Sequence, residues 1–219
     1  MGCRQETRHL RYAGRAWPVS AVETTGPVLK RERTTVIEVG LSLGSNLGDR
    51  LANLRRARSA ISKLAGTRID AVSPVYETEP VGVPSKFKSL AFLNVVLVIH
   101  CPLGIDDFHA LLRQIEEAIG RVESDTRNTP RVIDIDIIYA FGLADSLPHL
   151  TWICESAARQ GNRYGLNIPH PRWAQRRFVV QPLADVRPDL KITGHRRTVA
   201  EVLHSLPAKP AVALFSKVW

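Results

Sequence analysis

The segment Arg121–Ile137, RVESDTRNTPRVIDIDI, decides the fold prediction because it ends in a strand-like run that carries two acids. Side chains in a strand alternate between its two faces, so Asp134 and Asp136 share one face while the isoleucines around them share the other. Two neighbouring carboxylates repel one another unless a cation lies between them. Mg²⁺ is usually held by one or two carboxylates together with substrate phosphates. The pattern therefore predicts a metal and nucleotide-phosphate site on one face of a half-buried strand.

Three arginines precede the acid pair in the same segment, namely Arg121, Arg127 and Arg131. Guanidinium groups suit phosphate oxygens, and Pro130 restricts the backbone just before Arg131. Cations packed beside metal-binding acids fit phosphoryl transfer, in which catalysis is mostly positioning and charge neutralisation. The alternative is that the two acids form only the solvated face of an amphipathic strand.

Composition and charge limit the class of protein. The chain has 219 residues, of which 44% are hydrophobic and 23% charged, as expected for a globular protein and not for a disordered one. Much of the net charge of +9 comes from the first 34 residues. Three scattered cysteines without CxxC spacing predict neither a disulfide framework nor a zinc site, and favour the reducing cytoplasm. No apolar run approaches the ~18 residues of a membrane span, and no secretory signal is recognisable.

The first 34 residues show no sustained helical or strand period, so we expect a loosely ordered extension over 1–34 and a single domain over 35–219. An arginine-rich transit peptide is the alternative for the extension, although Glu6 and Glu23 argue against it.

Hydrophobic periodicity predicts six elements in the order strand, helix, strand, strand, helix, strand, an α+β ferredoxin-like arrangement with an antiparallel sheet and a C-terminal extension. The predicted strands are Val36–Leu43, Arg68–Ser73, Phe92–Ile99 and Val132–Tyr139; the helices run from after Asn46 to about Leu64 and from after Gly104 to about Gly120. The proline-rich stretch Pro74–Pro84 is predicted to be a loop. Residues 142–167 form a long predicted connection with a more helical part at Trp152–Ala158, and Val199–Leu206 is a predicted last helix.

Six segments in order resemble the 6-hydroxymethyl-7,8-dihydropterin pyrophosphokinases of folate biosynthesis. They are LGSNLGDR (43–50), SPVYETEPVG (73–82), FLNVV (92–96), IEEAIGR (115–121), PRVIDIDI (130–137) and IPHPRWAQRRFVVQPL (168–183). The resemblance implies an ATP- and Mg²⁺-dependent transfer of diphosphate to a reduced pterin, with release of AMP.

The resemblance also implies roles for individual residues. Asp134 and Asp136 would bind two Mg²⁺ ions, and with Arg121 and Arg131 would form the catalytic group. The implied ATP-binding residues are Glu116, Arg121, Arg127, Arg131, His170 and Arg176. The implied pterin-binding residues are Thr78, Glu79, Val81, Phe92, Asn94 and Phe178. A flat polar heterocycle needs an aromatic slot with a few fixed donors and acceptors.

Some of these residues have simpler explanations. Phe92 and Phe178, taken alone, are typical core residues, and His170 between two prolines is typical of a surface turn. Asn94 in an apolar strand needs hydrogen-bond partners, which a ligand edge would supply. Departures from the family pattern occur at Thr129, where glycine is common, at Trp173, and at Glu123 and Asp125, where basic residues often help to hold ATP.

Two other functions are compatible with a basic ferredoxin-like domain. A nucleic-acid-binding module would stack bases on exposed aromatics, but aromatic content is 6% and no RNP-like sequence is present. A catalytically weakened member kept as a partner domain is the second, and the intact acid pair argues against it. We therefore expect a cytoplasmic monomer that acts on ATP and a pterin and binds neither nucleic acid nor membrane.

Overall fold

The computed structural model describes residues 36–80, 83–122, 129–142, 152–153 and 166–219. The strands are β1 (Ile37–Ser45), β2 (Arg68–Val72), β3 (Val75–Thr78), β4 (Phe92–Cys101), β5 (Asp134–Gly142), β6 (Trp152–Ile153), β7 (Asn167–Ile168) and β8 (Val212–Ser216). The α-helices are α1 (Arg50–Ser62), α2 (Ile105–Ile119), α3 (Arg177–Val186) and α4 (Val199–Ser205). Short 3₁₀ turns cover Ser85–Phe87 and Trp173–Gln175. No described helix is long and apolar enough to cross a membrane.

The main sheet has the order β5-β1-β4-β3-β8, and β2 pairs with the remaining part of β4. All of these pairings are antiparallel. The central pair, β1 and β4, stays in register from Ile37 opposite Cys101 to Ser45 opposite Leu93. With helices between the strands, this arrangement confirms the predicted α+β ferredoxin-like fold.

Helices cover both faces of the sheet. On one face α1 and α2 bury Leu54, Ile61, Phe108 and Leu112 against alternate residues of the central strands. On the other face, residues of α3 and α4 pack on a second apolar cluster that includes Val96 and Val98. Each fully buried aliphatic side chain contributes roughly 1.5–3 kcal/mol, so the strands that carry the acid pair and Asn94 are held firmly from both sides.

Several details of the sequence prediction need correction, and one of them is that the helix α3 was not predicted. The segment predicted as a loop contains β3, because Val75, Tyr76 and Thr78 favour extended backbone and pair with both β4 and β8. Trp152 and Ile153, predicted to be helical, form a short strand that pairs with β7. The last strand, β8, was not predicted, and β5 begins at Asp134 instead of Val132. The rest of the predicted connection over 142–167 lies outside the described residues.

At the end of β1 away from the acid pair, Arg187 holds a small ionic cluster together. Its guanidinium donates to Glu38 Oε2 at 3.0 Å and to Asp70 Oδ2 at 2.6 Å. His100 Nε2 lies 3.4 Å from the same Glu38 oxygen. Glu38, Asp70 and His100 are grouped closely enough for a metal, but a guanidinium already neutralises the two acids. We interpret the cluster as a structural link from the end of α3 to β1 and β2.

Candidate active site

The acid pair lies at the start of β5 with both side chains on the face that α3 covers. Asp134 is the register partner of Gly44 on β1, and Asp136 is the partner of Ser42. The side chains of Asp134 and Asp136 remain 25% and 43% exposed. As the alternation predicts, Ile133, Ile135 and Ile137 are buried in the opposite cluster. Both carboxylates are therefore fixed by the sheet and accessible from solvent.

Two of the predicted arginines contact Asp134 directly. Arg121 Nη1 donates to Asp134 Oδ1 at 2.8 Å, and Arg131 Nη1 donates to the same oxygen at 2.7 Å. Arg121 is the first residue after the left-handed Gly120 that ends α2, with a φ of 113°. The sharp turn at that glycine brings the guanidinium back over the start of β5. The third predicted arginine, Arg127, lies outside the described residues.

Glu116 lies behind Arg121 and is almost completely buried, with 1% exposure. Its Oε1 pairs with the Arg121 guanidinium and also accepts a hydrogen bond from the Ile135 backbone N–H at 2.7 Å. Burial raises the pKa of Glu116 to about 7, partly offset by the charge of Arg121. Because so little of its surface is accessible, we interpret Glu116 as a residue that orients Arg121.

Asp136 faces an arginine and a histidine from the segment before α3. Arg176 Nη1 lies 3.7 Å and His170 Nε2 4.0 Å from Asp136 Oδ2. The surrounding protein and the charge of Asp134 raise the pKa of Asp136 to about 6. Burial and the charge of Arg176 lower the pKa of His170 to about 4, so His170 is neutral at pH 7. The predicted residues His170 and Arg176 thus lie beside the acid pair.

A polar and aromatic group lies on the same sheet face across β1. Asn94 is 3% exposed, and its Nδ2 donates to Thr78 Oγ1 at 2.7 Å. Asn94 Oδ1 points toward Gly44. Phe92 is two residues earlier on β4 and only half-buried, so it does not behave as a pure core residue.

The remaining predicted pterin residues are placed less uniformly. Phe178, at the start of α3, is also half-buried, and the Arg176 guanidinium lies 5.6 Å from its ring centre. Glu79 is exposed, and Val81 lies outside the described residues. Phe178 therefore links the α3 side of the site to the cations around Asp136.

Asn46 is a residue of this site that the sequence prediction missed. It is 4% exposed, and its Oδ1 accepts the Arg131 backbone N–H at 2.7 Å while its own N–H donates to Arg131 O at 3.1 Å. Its Nδ2 lies 3.4 Å from Leu90 O, just before β4. The amide thus positions the backbone of Arg131, and the available signal was a polar amide at the junction of a buried strand and a helix.

Comparison with known proteins agrees with the motifs. The family model of 7,8-dihydro-6-hydroxymethylpterin-pyrophosphokinase (HPPK) matches residues 40–188. The 2-amino-4-hydroxy-6-hydroxymethyldihydropteridine pyrophosphokinase of Mycobacterium tuberculosis is 35% identical to this chain over 184 residues, which cover 81% of this chain and 89% of that protein. Its namesake from Bacillus subtilis is 34% identical over 67% of this chain and 75% of that protein.

Other similar proteins are longer. A folic acid synthesis protein of Schizosaccharomyces pombe is 31% identical over 80% of this chain, but the chain spans only 21% of its length. The structure of a wild-type Plasmodium falciparum HPPK-DHPS has a TM-score of 0.54 at 16% identity, over 77% of this chain and 43% of that one. The structural match supports the fold, and the family model and the sequence relatives show that the chain belongs to the 7,8-dihydro-6-hydroxymethylpterin-pyrophosphokinase family of folate biosynthesis.

Proposed function

We propose that this chain transfers diphosphate from ATP to the hydroxymethyl group of 6-hydroxymethyl-7,8-dihydropterin, giving AMP and the pterin diphosphate, as a monomer in the cytoplasm. The observation that carries the proposal is one row of register partners across three strands, Asp134–Gly44–Asn94. At one end of the row, Asp134 is paired with Arg121 and Arg131, whose guanidinium groups suit phosphate. A buried amide suited to a heterocycle edge lies at the other end.

Asp134 and Asp136 are the residues that would hold Mg²⁺, two ions in our proposal. Asp134 Oδ1 already accepts hydrogen bonds from two guanidiniums. Asp136 Oδ2 lies 3.7 Å from Arg176 Nη1, beyond hydrogen-bond distance, and 4.0 Å from Nε2 of the neutral His170. This all-oxygen donor set with like charges two residues apart suits a hard divalent cation. When bound, Mg²⁺ would neutralise charge that develops on the phosphate oxygens.

The cations around the acid pair are arranged for a triphosphate. Arg121 and Arg131 stand on the Asp134 side, and Arg176 stands on the Asp136 side. A nucleotide placed between them would find guanidiniums on two sides, which suits the charge spread of a transferring diphosphate unit. His170, neutral at pH 7, can exchange a hydrogen bond with ATP without adding a charge.

The pterin would occupy the other end of the row. Asn94 Nδ2 is committed to Thr78, and no described residue donates to Asn94 Oδ1, so this oxygen can accept from a ring N–H. The half-buried Phe92 and Phe178 would provide the apolar surfaces for the flat ring. The hydroxymethyl substituent would then point along the row toward the phosphates.

In the reaction, the pterin hydroxyl oxygen forms a bond to the β-phosphorus while the bond from that phosphorus to the oxygen shared with the α-phosphate breaks. The leaving group is AMP, and the hydroxyl proton passes to solvent or to a phosphate oxygen. None of the described carboxylates near the acid pair is free of cations, so we assign no general base. Positioning and charge neutralisation carry the rate.

Calorimetry tests the proposal directly. The protein is titrated with a non-hydrolysable ATP analogue in the presence of Mg²⁺ and then with the hydroxymethyl-dihydropterin. We expect saturable binding of both, with nucleotide binding lost when EDTA replaces Mg²⁺. Failure of the pterin to bind the nucleotide-loaded protein would contradict the assigned substrate.

A further inference from the structure

Gly44 lies at the centre of the proposed site, between the acid pair on β5 and Asn94 on β4. Its register partners are Asp134 on β5 and Asn94 on β4, so all three positions face the same side of the sheet. The next row on that side is Asp136, Ser42 and Val96, in which every position carries a side chain. In the row Asp134, Gly44 and Asn94, only the middle position therefore lacks a side chain.

The backbone of Gly44 does not require a glycine. Gly48, Gly66, Gly120 and Gly194 have positive φ angles, whereas Gly44 is an ordinary extended residue in β1. Packing at Gly44 is tight but does not forbid a side chain, in contrast to Gly40 on the same strand, where a Cβ atom would fall 2.2 Å from the Tyr139 ring. Gly40 is therefore a packing glycine, and Gly44 needs a different explanation.

The surroundings of a Cβ atom at position 44 suggest that explanation. Such an atom would lie 3.3 Å from Asn94 Oδ1 and 3.7 Å from Phe92 Cδ1, with no other atom of the described residues within 4 Å. Both neighbours belong to the proposed pterin end. An added methyl group would press on the amide oxygen and stand between the ring and the acid pair.

Resting on the proposed function, we propose that Gly44 is a specificity-determining residue whose missing side chain leaves the path for the C6 hydroxymethyl group of the pterin. Neighbouring strands are spaced ~4.8 Å apart, so the row from Asn94 to Asp134 spans about 10 Å. The substituent that joins the ring to the β-phosphorus must cross the middle of this span. A bare strand backbone at Gly44 gives it that room.

The test compares two ligands on one variant, Gly44→Ala. Binding of 6-hydroxymethyl-7,8-dihydropterin and of 7,8-dihydropterin, which has only hydrogen at C6, is measured with the Mg²⁺-loaded ATP analogue present. We expect Gly44→Ala to weaken the hydroxymethyl ligand at least about tenfold more than the unsubstituted one, the scale of one misplaced methyl group. Binding of the ATP analogue alone should stay within about twofold, since the variant adds nothing near Arg121 or Arg176.

A matched control is Gly104→Ala, because Gly104 is exposed at the start of α2 and a Cβ there would meet only Asp107 Oδ2 at 3.7 Å. It should change neither affinity. The melting temperature of Gly44→Ala should stay close to that of the wild type, since alanine suits an extended strand better than glycine while its methyl group presses on Asn94 Oδ1. If Gly44→Ala folds only in part, the ratio of its two pterin affinities still tests the role of Gly44, because this ratio does not depend on the folded fraction. The variant Gly44→Ser gives a second measurement of the same ratio.

Equal weakening of both pterins, or none, would overturn the role of Gly44. Failure of the wild type to bind or convert the hydroxymethyl pterin would instead overturn the proposed function, so the two failures are distinguishable.

Discussion

Asp134 and Asn94 are both register partners of Gly44, one on each side of β1, so the carboxylate and the amide face the same side of the sheet. Their backbones are about 10 Å apart, which is two strand spacings. The antiparallel sheet thereby sets the separation between the proposed phosphate site and the proposed heterocycle site. Neither site depends on the conformation of a loop for this spacing.

The first prediction concerns metal binding by the acid pair. Asp136→Asn removes a charge that Arg176 and His170 do not neutralise at close range, so turnover should fall more than about a hundredfold with loss of Mg²⁺-dependent nucleotide binding. Steady-state rates over a Mg²⁺ series measure this. Asp189→Asn, an exposed acid outside the site, is the control and should behave as wild type. Near-normal turnover with unchanged Mg²⁺ dependence in Asp136→Asn would remove Asp136 from the site.

The second prediction concerns Glu116 as the support of Arg121. Glu116→Ala leaves the Ile135 N–H without its acceptor and Arg121 without one of its two carboxylates, so the free energy of unfolding should fall by roughly 2–4 kcal/mol. Glu116→Gln keeps an oxygen for Ile135 and should cost less. Urea denaturation measures both. The adjacent Glu117 is exposed, and Glu117→Ala should change stability by less than about 0.5 kcal/mol. Equal effects at Glu116 and Glu117 would contradict the buried link.

The third prediction concerns the ionic cluster around Arg187. Burial disfavours ionisation of Glu38, but hydrogen bonds from Arg187 and Tyr139 outweigh it and lower its pKa; a hydrogen bond from Arg187 also lowers the pKa of Asp70. Acids with lowered folded pKa values stabilise the protein above their unfolded pKa, and this stability is lost as pH falls through the folded pKa. Arg187→Met should therefore cost roughly 1–3 kcal/mol at pH 7 and progressively less below about pH 4.

Arg68→Met is the matched control for that cluster, because Arg68 pairs with the same Asp70 at 2.9 Å but its side chain is 63% exposed. It should cost less than about 1 kcal/mol at pH 7. A pH-independent effect of Arg187→Met would show that packing, and not charge, links α3 to β1.

The fourth prediction concerns the N-terminal extension. Its sequence lacks any period, and the family model matches only from residue 40, so deletion of residues 1–33 should leave melting temperature and turnover nearly unchanged. Differential scanning fluorimetry and steady-state kinetics on the truncated chain measure this. A fall of several degrees, or of several-fold in turnover, would show that the extension contributes to the domain.

Patterns of period two and 3.6 predicted the fold because the elements concerned bury one clear face. The alternation in Ile133–Ile137 and the apolar spacing of Phe108, Leu112 and Ile115 are strong enough to be read without tertiary contacts. β3 and β8 escaped prediction because each is short and depends on its neighbours for pairing. The helix α3 was also not predicted. Pro182 lies inside this helix and interrupts its pattern in the sequence, although the residues before the proline already form helical turns.

The candidate site was predictable only where charge or motif marked it. Asp134, Asp136, Arg121 and Arg131 stood out by type and spacing, and the structure brings them together. Asn46 did not stand out, because its role depends on hydrogen bonds to a backbone 85 residues away. The missing side chain at Gly44 is likewise recognised as part of the site only once β4 and β5 lie beside β1. Arg127, Glu123 and Asp125 lie outside the described residues, so their predicted roles near ATP stay predictions.

In the proposed reaction diphosphate moves as one unit, and the identity of the nucleotide product distinguishes this from transfer of a single phosphate. The protein is incubated with Mg²⁺, the hydroxymethyl-dihydropterin and ATP labelled separately at the β- and γ-phosphates, and the products are separated by chromatography. We expect pterin-dependent AMP in equal amount to a pterin product that carries both labels. Pterin-dependent ADP, with only the γ-label on the pterin, would contradict it.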